Sequence, residues 1–181
     1  MINITFPDNS VRKYEKGITP YEIAKSISNS LARDVLSASH DDKIIEVHTS
    51  LENDGLIKFF KWDDKEGKEA FWHSTAHVLA QVILEIYPHS KLTIGPAIEN
   101  GFYYDFAREQ PFTPDDLEII QKRMKEIIDR NEAFIREEWD RQEAIKFFES
   151  KGEAYKAELI RDLPESETIS IYRQGEWLDL C

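Results

Sequence analysis

The stretch "FWHSTAHVLAQVILEIYPHS", residues 71–90, constrains this chain more than any other. Trp72, Ala76, Leu79, Ile83 and Ile86 make one stripe at helical spacing, and Val78 and Val82 widen it onto a second face. A helix apolar most of the way round cannot lie on a surface, so the rest of the domain must be built to cover it. The pattern predicts a long buried helix over residues 68–87, ended by Pro88. His73 and His77 interrupt it one helical turn apart, on the same side. Spacing alone leaves two readings open: core imidazoles satisfied by backbone carbonyls, or two groups facing one ligand. Ser74 stands where the general base of an HExxH metalloprotease would be, which removes that reading.

Two patterns flank this helix. Before it, INITF, PDNS and VRKYE read as a strand, a turn and a strand. Thr19 and Pro20 then open a helix carrying Ile23, Ala24 and Ile27. RDVLSAS, KIIEV and LIKFF follow as short strands separated by HDD and ENDG. Strand, strand, helix and three strands in about 60 residues fit a β-grasp (ubiquitin-like) module. KWDDKEGKEA, residues 61–70, reads as a charged linker. After the helix, Asn100 and Gly101 predict a type I′ hairpin. Thr113, Pro114, Asp115 and Asp116 open a helix with Leu117, Ile120, Met124 and Ile127 as its stripe. Asp140 and Glu143 read as a capping box for a helix through Phe148, with Gly152 as terminator. A short helix around YKAELI, a break at Pro164, and two strands, TISIYR and EWLDLC, around the Gln174-Gly175-Glu176 turn complete the chain. The fold class is α+β in two domains, 1–61 and 62–181, the second with an antiparallel sheet against the long helix.

Charge and cysteine usage narrow the chemistry. The net charge of −12 is uneven: residues 1–61 carry 8 basic and 9 acidic side chains, residues 62–181 carry 15 and 26. So acidic a second domain repels phosphates, and nucleic-acid binding needs a local patch or a region beyond this chain. No leader-like or membrane-spanning stretch is read, which points to the cytoplasm. The single cysteine, Cys181, cannot form an internal disulfide. Two histidines and a cysteinate with an open fourth position would match a catalytic zinc site, a reading that requires all three to converge in space. Lys156 and Asp179, taken singly, read as solvated charges.

FWHSTAHVLAQVILEIYP, KLTIGPAIENGFYYDF, GEAYKAELI and YRQGEWLDLC, in this order and at these separations, closely resemble the N-terminal region of bacterial-type threonyl-tRNA synthetases. The resemblance covers the whole chain: residues 1–61 resemble the family's TGS domain, a β-grasp module, and residues 62–181 resemble its editing domain. In that family the tail motif reads Cys-x-x-x-His, so the chain stops at Cys181 before the partner histidine. The class II catalytic and anticodon-binding domains also lie outside it, and no aminoacylation is expected of this region by itself.

The resemblance implies post-transfer editing, the hydrolysis of seryl-tRNA(Thr), with the tRNA acceptor end as partner. It implies His73, His77 and Lys156 as catalytic groups: His73 positions or activates the attacking water, and Lys156 orients water and stabilises the oxyanion. Asp179, holding the seryl amino group, and Cys181, Tyr104 and Gly95 are expected to line the pocket. Related alanyl-type editing domains hold zinc through HxxxH and CxxxH, whereas no metal is expected here. No cofactor is expected in this region; ATP, Mg and Zn belong to the missing catalytic domain. The full enzyme is expected to be a homodimer and this region a monomer, without membrane association. Two other readings stand beside this one: a noncatalytic regulatory or ligand-binding TGS module, and a zinc hydrolase unrelated to tRNA.

Overall fold

The computed structural model describes residues 1–93 and 95–181, which form two compact units, Met1–Trp72 and His73–Cys181. In the first, β1 (Ile2–Thr5) and β2 (Val11–Tyr14) form the expected hairpin and α1 (Pro20–Ile27) follows. Thr19 caps α1 in a capping box with Glu22, and Pro20 stands at its start. A second helix, α2 (Asn29–Asp34), is capped by Ser28 and occupies the start of the predicted RDVLSAS strand. That strand is therefore shorter, β3 (Ser37–His40), followed by β4 (Lys43–Ile45) and β5 (Gly55–Phe60).

These five strands form one sheet in the order β2-β1-β5-β3-β4, with β1 and β5 parallel at its centre. This is the β-grasp arrangement the sequence predicts, within an α+β chain. Ile23 of α1 packs with Ile2, Ile4, Phe6, Leu51 and Ile57 beneath it. The β3–β4 hairpin pairs His40 with Lys43, and both residues between them, Asp41 and Asp42, have positive φ (50° and 62°). The type I′ geometry is thus at Asp41 and Asp42, because the short side chain of aspartate tolerates the left-handed region.

The long helix α3 (Lys65–Ile86) begins earlier than its apolar stripe. Half of the predicted linker is its first turns. Lys61 N–H donates to Asp64 Oδ2 (2.7 Å) and Asp64 N–H to the Lys61 carbonyl (3.0 Å), a tight turn that leads into the helix. Glu66 then sits at the positive end of the helix dipole. The charge run that reads as a linker is therefore also an N-terminal helix signal. As the stripe predicts, the centre of α3 is buried through Ala76, Val78, Ala80, Val82 and Ile83.

In the second unit, β6 (Lys91–Leu92), β7 (Ala97–Ile98), β8 (Gly101–Phe102) and β9 (Phe106–Ala107) are two-residue pieces, β6 pairing with β9 and β7 with β8. The β7–β8 hairpin pairs Ile98 with Gly101, so its loop is Glu99 and Asn100, one residue earlier than expected. Gly101 (φ 152°) has positive φ and Asn100 does not, which excludes the predicted type I′ turn. Helix α4 (Pro114–Asp129) is capped by Thr113 as expected, in a capping box with Asp116, and buries Ile120 and Ile127.

Strand β10 (Phe134–Trp139), absent from the sequence reading, precedes α5 (Arg141–Ser150) and α6 (Ala154–Asp162). Asp140 caps α5 by accepting from Gln142 and Glu143 N–H, without the reciprocal bond of a capping box. Strands β11 (Ile169–Gln174) and β12 (Trp177–Leu180) complete an antiparallel sheet in the order β10-β11-β12. Phe148 of α5 and Ala157 and Ile160 of α6 pack with Ile169 and Ile171 of β11.

Ile57 is fully buried at the centre of the first core, whereas Val11 is 57% exposed. Ile57→Ala is expected to cost about 2–5 kcal/mol and Val11→Ala less than about 0.5 kcal/mol. Urea unfolding of each variant checks this through its midpoint at unchanged slope.

Candidate functional site

Three elements of the second unit bring the candidate residues together. Helix α3 supplies His73 and His77, α6 supplies Lys156, and β12 supplies Asp179 with Cys181 just beyond it. The register of β11 and β12 pairs Tyr172 with Asp179, and Cys181 N–H donates to the Ser170 carbonyl (2.9 Å). The thiol is thereby placed by the strand ladder. His77 stacks on Tyr172, ring centres 5.5 Å apart and planes 21° apart, which fixes its imidazole on the face turned to β12.

A continuous polar chain results. Asp179 Oδ2 accepts from His77 Nδ1 (2.7 Å), His77 Nε2 meets His73 Nε2 (3.0 Å), and His73 Nε2 meets Cys181 Sγ (3.0 Å). On its other side Asp179 Oδ1 pairs with Lys156 Nζ (2.5 Å), and Lys156 also pairs with Glu153. His77, Lys156 and Asp179 are only 6%, 3% and 1% exposed. These are not the solvated charges that their isolated positions in the sequence suggest.

Burial works against ionisation of Asp179, yet the Lys156 ammonium and the His77 bond outweigh it and hold the carboxyl below its usual range. An ionised Asp179 accepts the proton on His77 Nδ1. A neutral His77 protonated at Nδ1 then presents Nε2 as an acceptor toward His73 Nε2. Burial, reinforced by the His77 side, pushes His73 down to about 4 against the partial opposition of Asp179. His73 is therefore neutral near pH 7, able to position water and weak as a base.

A pocket of about 310 Å³ opens beside this chain, lined by His73, His77, Gly95, Tyr104, Lys156 and Asp179 among others. Gly95 is there because nothing larger fits: an added Cβ would lie 2.8 Å from Tyr104 Cγ and closer still to other ring atoms. Tyr104 stacks on Phe106 with ring centres 4.7 Å apart. Burial first, and then the charges of Asp179 and Glu153, raise the Tyr104 phenol, which stays protonated as a donor. Six of the seven residues expected at the site line this pocket, and the seventh, Cys181, is not among its lining residues and meets the site through His73. Glu153 was missed, although a glutamate three residues before a lysine at a helix start is the spacing of an intrahelical ion pair.

Among the described residues, His73, His77 and Cys181 form a group whose ligand atoms all lie within 4.8 Å of one another, so the donors suit a soft divalent ion such as zinc. The Asp179 bond to His77 Nδ1 is also the support a metal-bound histidine needs. Tetrahedral zinc would hold two such atoms roughly 3.4–3.6 Å apart given its bond lengths. The observed 3.0 Å contacts are those of direct hydrogen bonds, and the three groups must open slightly to admit an ion.

Two measurements test this description. Metal analysis of the purified chain is expected to give substoichiometric zinc; stoichiometric zinc that disappears in His73→Ala would overturn the hydrogen-bonded reading. With chelator present, a lowered His73 means the unfolded chain binds its proton first, near pH 6.5, and the folded chain only near pH 4. His73 thus withdraws stability as pH falls through that window, by up to about 1.4 kcal/mol per pH unit. The stability of His73→Asn is expected to fall less steeply across the same window, as read by denaturant unfolding at each pH.

The TGS domain family matches residues 2–61. The threonine–tRNA ligase of Maricaulis maris is 52% identical over 181 residues, which are all of this chain and 28% of that protein. Those of Acidiphilium cryptum and Rickettsia akari are 53% identical over 178 residues and 49% over 181, again covering 28% of each protein and 98% and 100% of this chain. The chain thus spans a little over a quarter of the length of these curated relatives. With a TGS domain over residues 2–61, the chain is related along its whole length to the N-terminal part of the bacterial threonyl-tRNA synthetases.

Proposed function

We propose that this chain serves a threonine–tRNA ligase as its proofreading part, hydrolysing seryl-tRNA(Thr) in the pocket between His73, Tyr104 and Asp179. One observation carries the reading: the row Asp179–His77–His73, which runs on to the exposed Cys181, lies along a pocket of about 310 Å³ that Asp179, His77 and His73 line together with Tyr104 and Lys156. A threonine-activating site cannot reject serine strongly, because one methyl group is worth only about 1–3 kcal/mol in a pocket. A second pocket that admits serine and excludes the methyl supplies the rest.

In this proposal His73, neutral and at the pocket edge, positions the attacking water, and His77 is held behind it by Asp179. Asp179 also faces the seryl amino group. The Lys156 Nζ is shut off from solvent, so its charge reaches the reacting ester by field and through Asp179. Tyr104 supplies a neutral donor from the wall, and Cys181 closes the row. The acceptor end of tRNA(Thr) is the partner, and the cytoplasm the site of action. ATP, Mg and Zn serve amino-acid activation in regions of the ligase outside these residues. Among the described residues no helix is long and apolar enough to cross a membrane.

The test is release of serine from seryl-tRNA(Thr), measured for this chain and for the chain continued through the histidine of the Cys-x-x-x-His motif. Seryl-tRNA(Thr) is expected to be hydrolysed at least ~10-fold faster than threonyl-tRNA(Thr), within the range one methyl group allows. His73→Ala and Lys156→Ala are each expected to lose at least ~10-fold, in line with removal of one group that orients water or charge. Unchanged rates in both variants would remove the assignment.

A further inference from the structure

We propose that Glu153 is a positioning residue: as a second carboxylate on the Lys156 ammonium, it keeps one carboxylate oxygen of Asp179 available to His77. The inference rests on the editing reading only for its kinetic arm. Its structural arm concerns this chain alone.

The argument starts from one buried cation and two carboxylates. Lys156 lies in α6, and its ammonium contacts both Glu153 and Asp179 Oδ1. Its Nζ is shut off from solvent, so the two carboxylates are its immediate counter-charges. Glu153 immediately precedes α6 and makes no side-chain cap of that helix. Its carboxylate is turned to the lysine three residues on instead of to the open N–H groups of the helix start.

Asp179 is divided in a definite way. Oδ1 faces Lys156 and Oδ2 accepts from His77 Nδ1 at 2.7 Å. An ammonium carries three equivalent donors on a flexible stem and is drawn to every acceptor in reach. Paired with Asp179 alone, it would move onto both oxygens and compete with His77 for Oδ2. Glu153 competes for the same ammonium and leaves it on Oδ1 alone. The carboxylate before α6 therefore governs which nitrogen of a histidine on α3 carries the proton, through three contacts and without touching the pocket chain itself. Glu153 also lines a larger cavity of about 720 Å³, with Lys91, Lys151 and Tyr155. Its side chain is 17% exposed, against 3% for Lys156, so the row ends at a group that water can reach.

The test uses Glu153→Gln, which removes the charge and keeps the shape, and Glu153→Asp, which keeps the charge on a shorter arm. In the 181-residue chain with ¹⁵N-labelled histidine, His77 is expected as a single tautomer protonated at Nδ1. Glu153→Gln is expected to show a second His77 population lacking that proton, and Glu153→Asp to restore most of the first. In seryl-tRNA(Thr) hydrolysis, Glu153→Gln is expected to lower kcat about 10-fold with KM within about 2-fold, since the ligand does not touch it. A Glu153→Gln chain that keeps the parent tautomer would overturn the proposal. If Glu153→Gln does not fold, Glu153→Ala decides, and a His77 tautomer indistinguishable from the parent overturns the proposal there. If the tautomer responds as expected while the parent hydrolyses no seryl-tRNA(Thr), the proposed function fails and the positioning role of Glu153 stands.

Discussion

The pairing of Lys156 with Asp179 is the interaction on which the second unit's polar interior depends. Each of these groups would be costly to bury alone, because an uncompensated ion in a dry interior loses its hydration and gains nothing in return. Together they tie α6 to β12, and the second oxygen of Asp179 carries the tie on to α3 through His77. Apolar packing brings the elements near: Phe148, Ala157 and Ile160 with Ile169 and Ile171 in one core, Val78, Val82 and Ile83 with Leu92 and Ile120 in the other. The ion pair, which unlike apolar contact is directional, sets which side chains meet once they arrive.

This division of labour explains what could be read from the chain of letters. The apolar stripe of α3, the Thr19 and Thr113 caps and the β1–β2 hairpin are local signals, and the structure has them where the pattern puts them. Turn geometry proved less transferable. An asparagine–glycine pair predicts a type I′ turn, yet pairing of Ile98 with Gly101 moves the loop back by one residue. Asp41 and Asp42, read only as a break, adopt the two positive-φ positions instead. Strand β10 was missed because FIREEW is half charged; Glu137 and Arg173 pair across the sheet, a contact visible only once β11 lies beside it.

The site shows the same limit more sharply. Histidines four apart announce that two imidazoles share a face, and nothing more. That Lys156, Asp179 and Cys181 belong beside them came from the resemblance to a family, since these residues stand 79 to 104 positions further along the chain than His77. Glu153 escaped even that route. Its proposed role depends on a second contact of the lysine, and a relation among Glu153, Lys156 and Asp179 leaves no trace in the spacing of any one.

Gly95 carries a consequence of its own. Tyr104 rests its ring against bare backbone, at a distance that leaves no space for a single carbon. A wall of packed side chains gives way when pressed, since rotamers can rearrange at modest expense. A ring backed by main chain has no such retreat, and its stiffness is that of bonds and angles. That stretch of the pocket wall is therefore the part least able to give way.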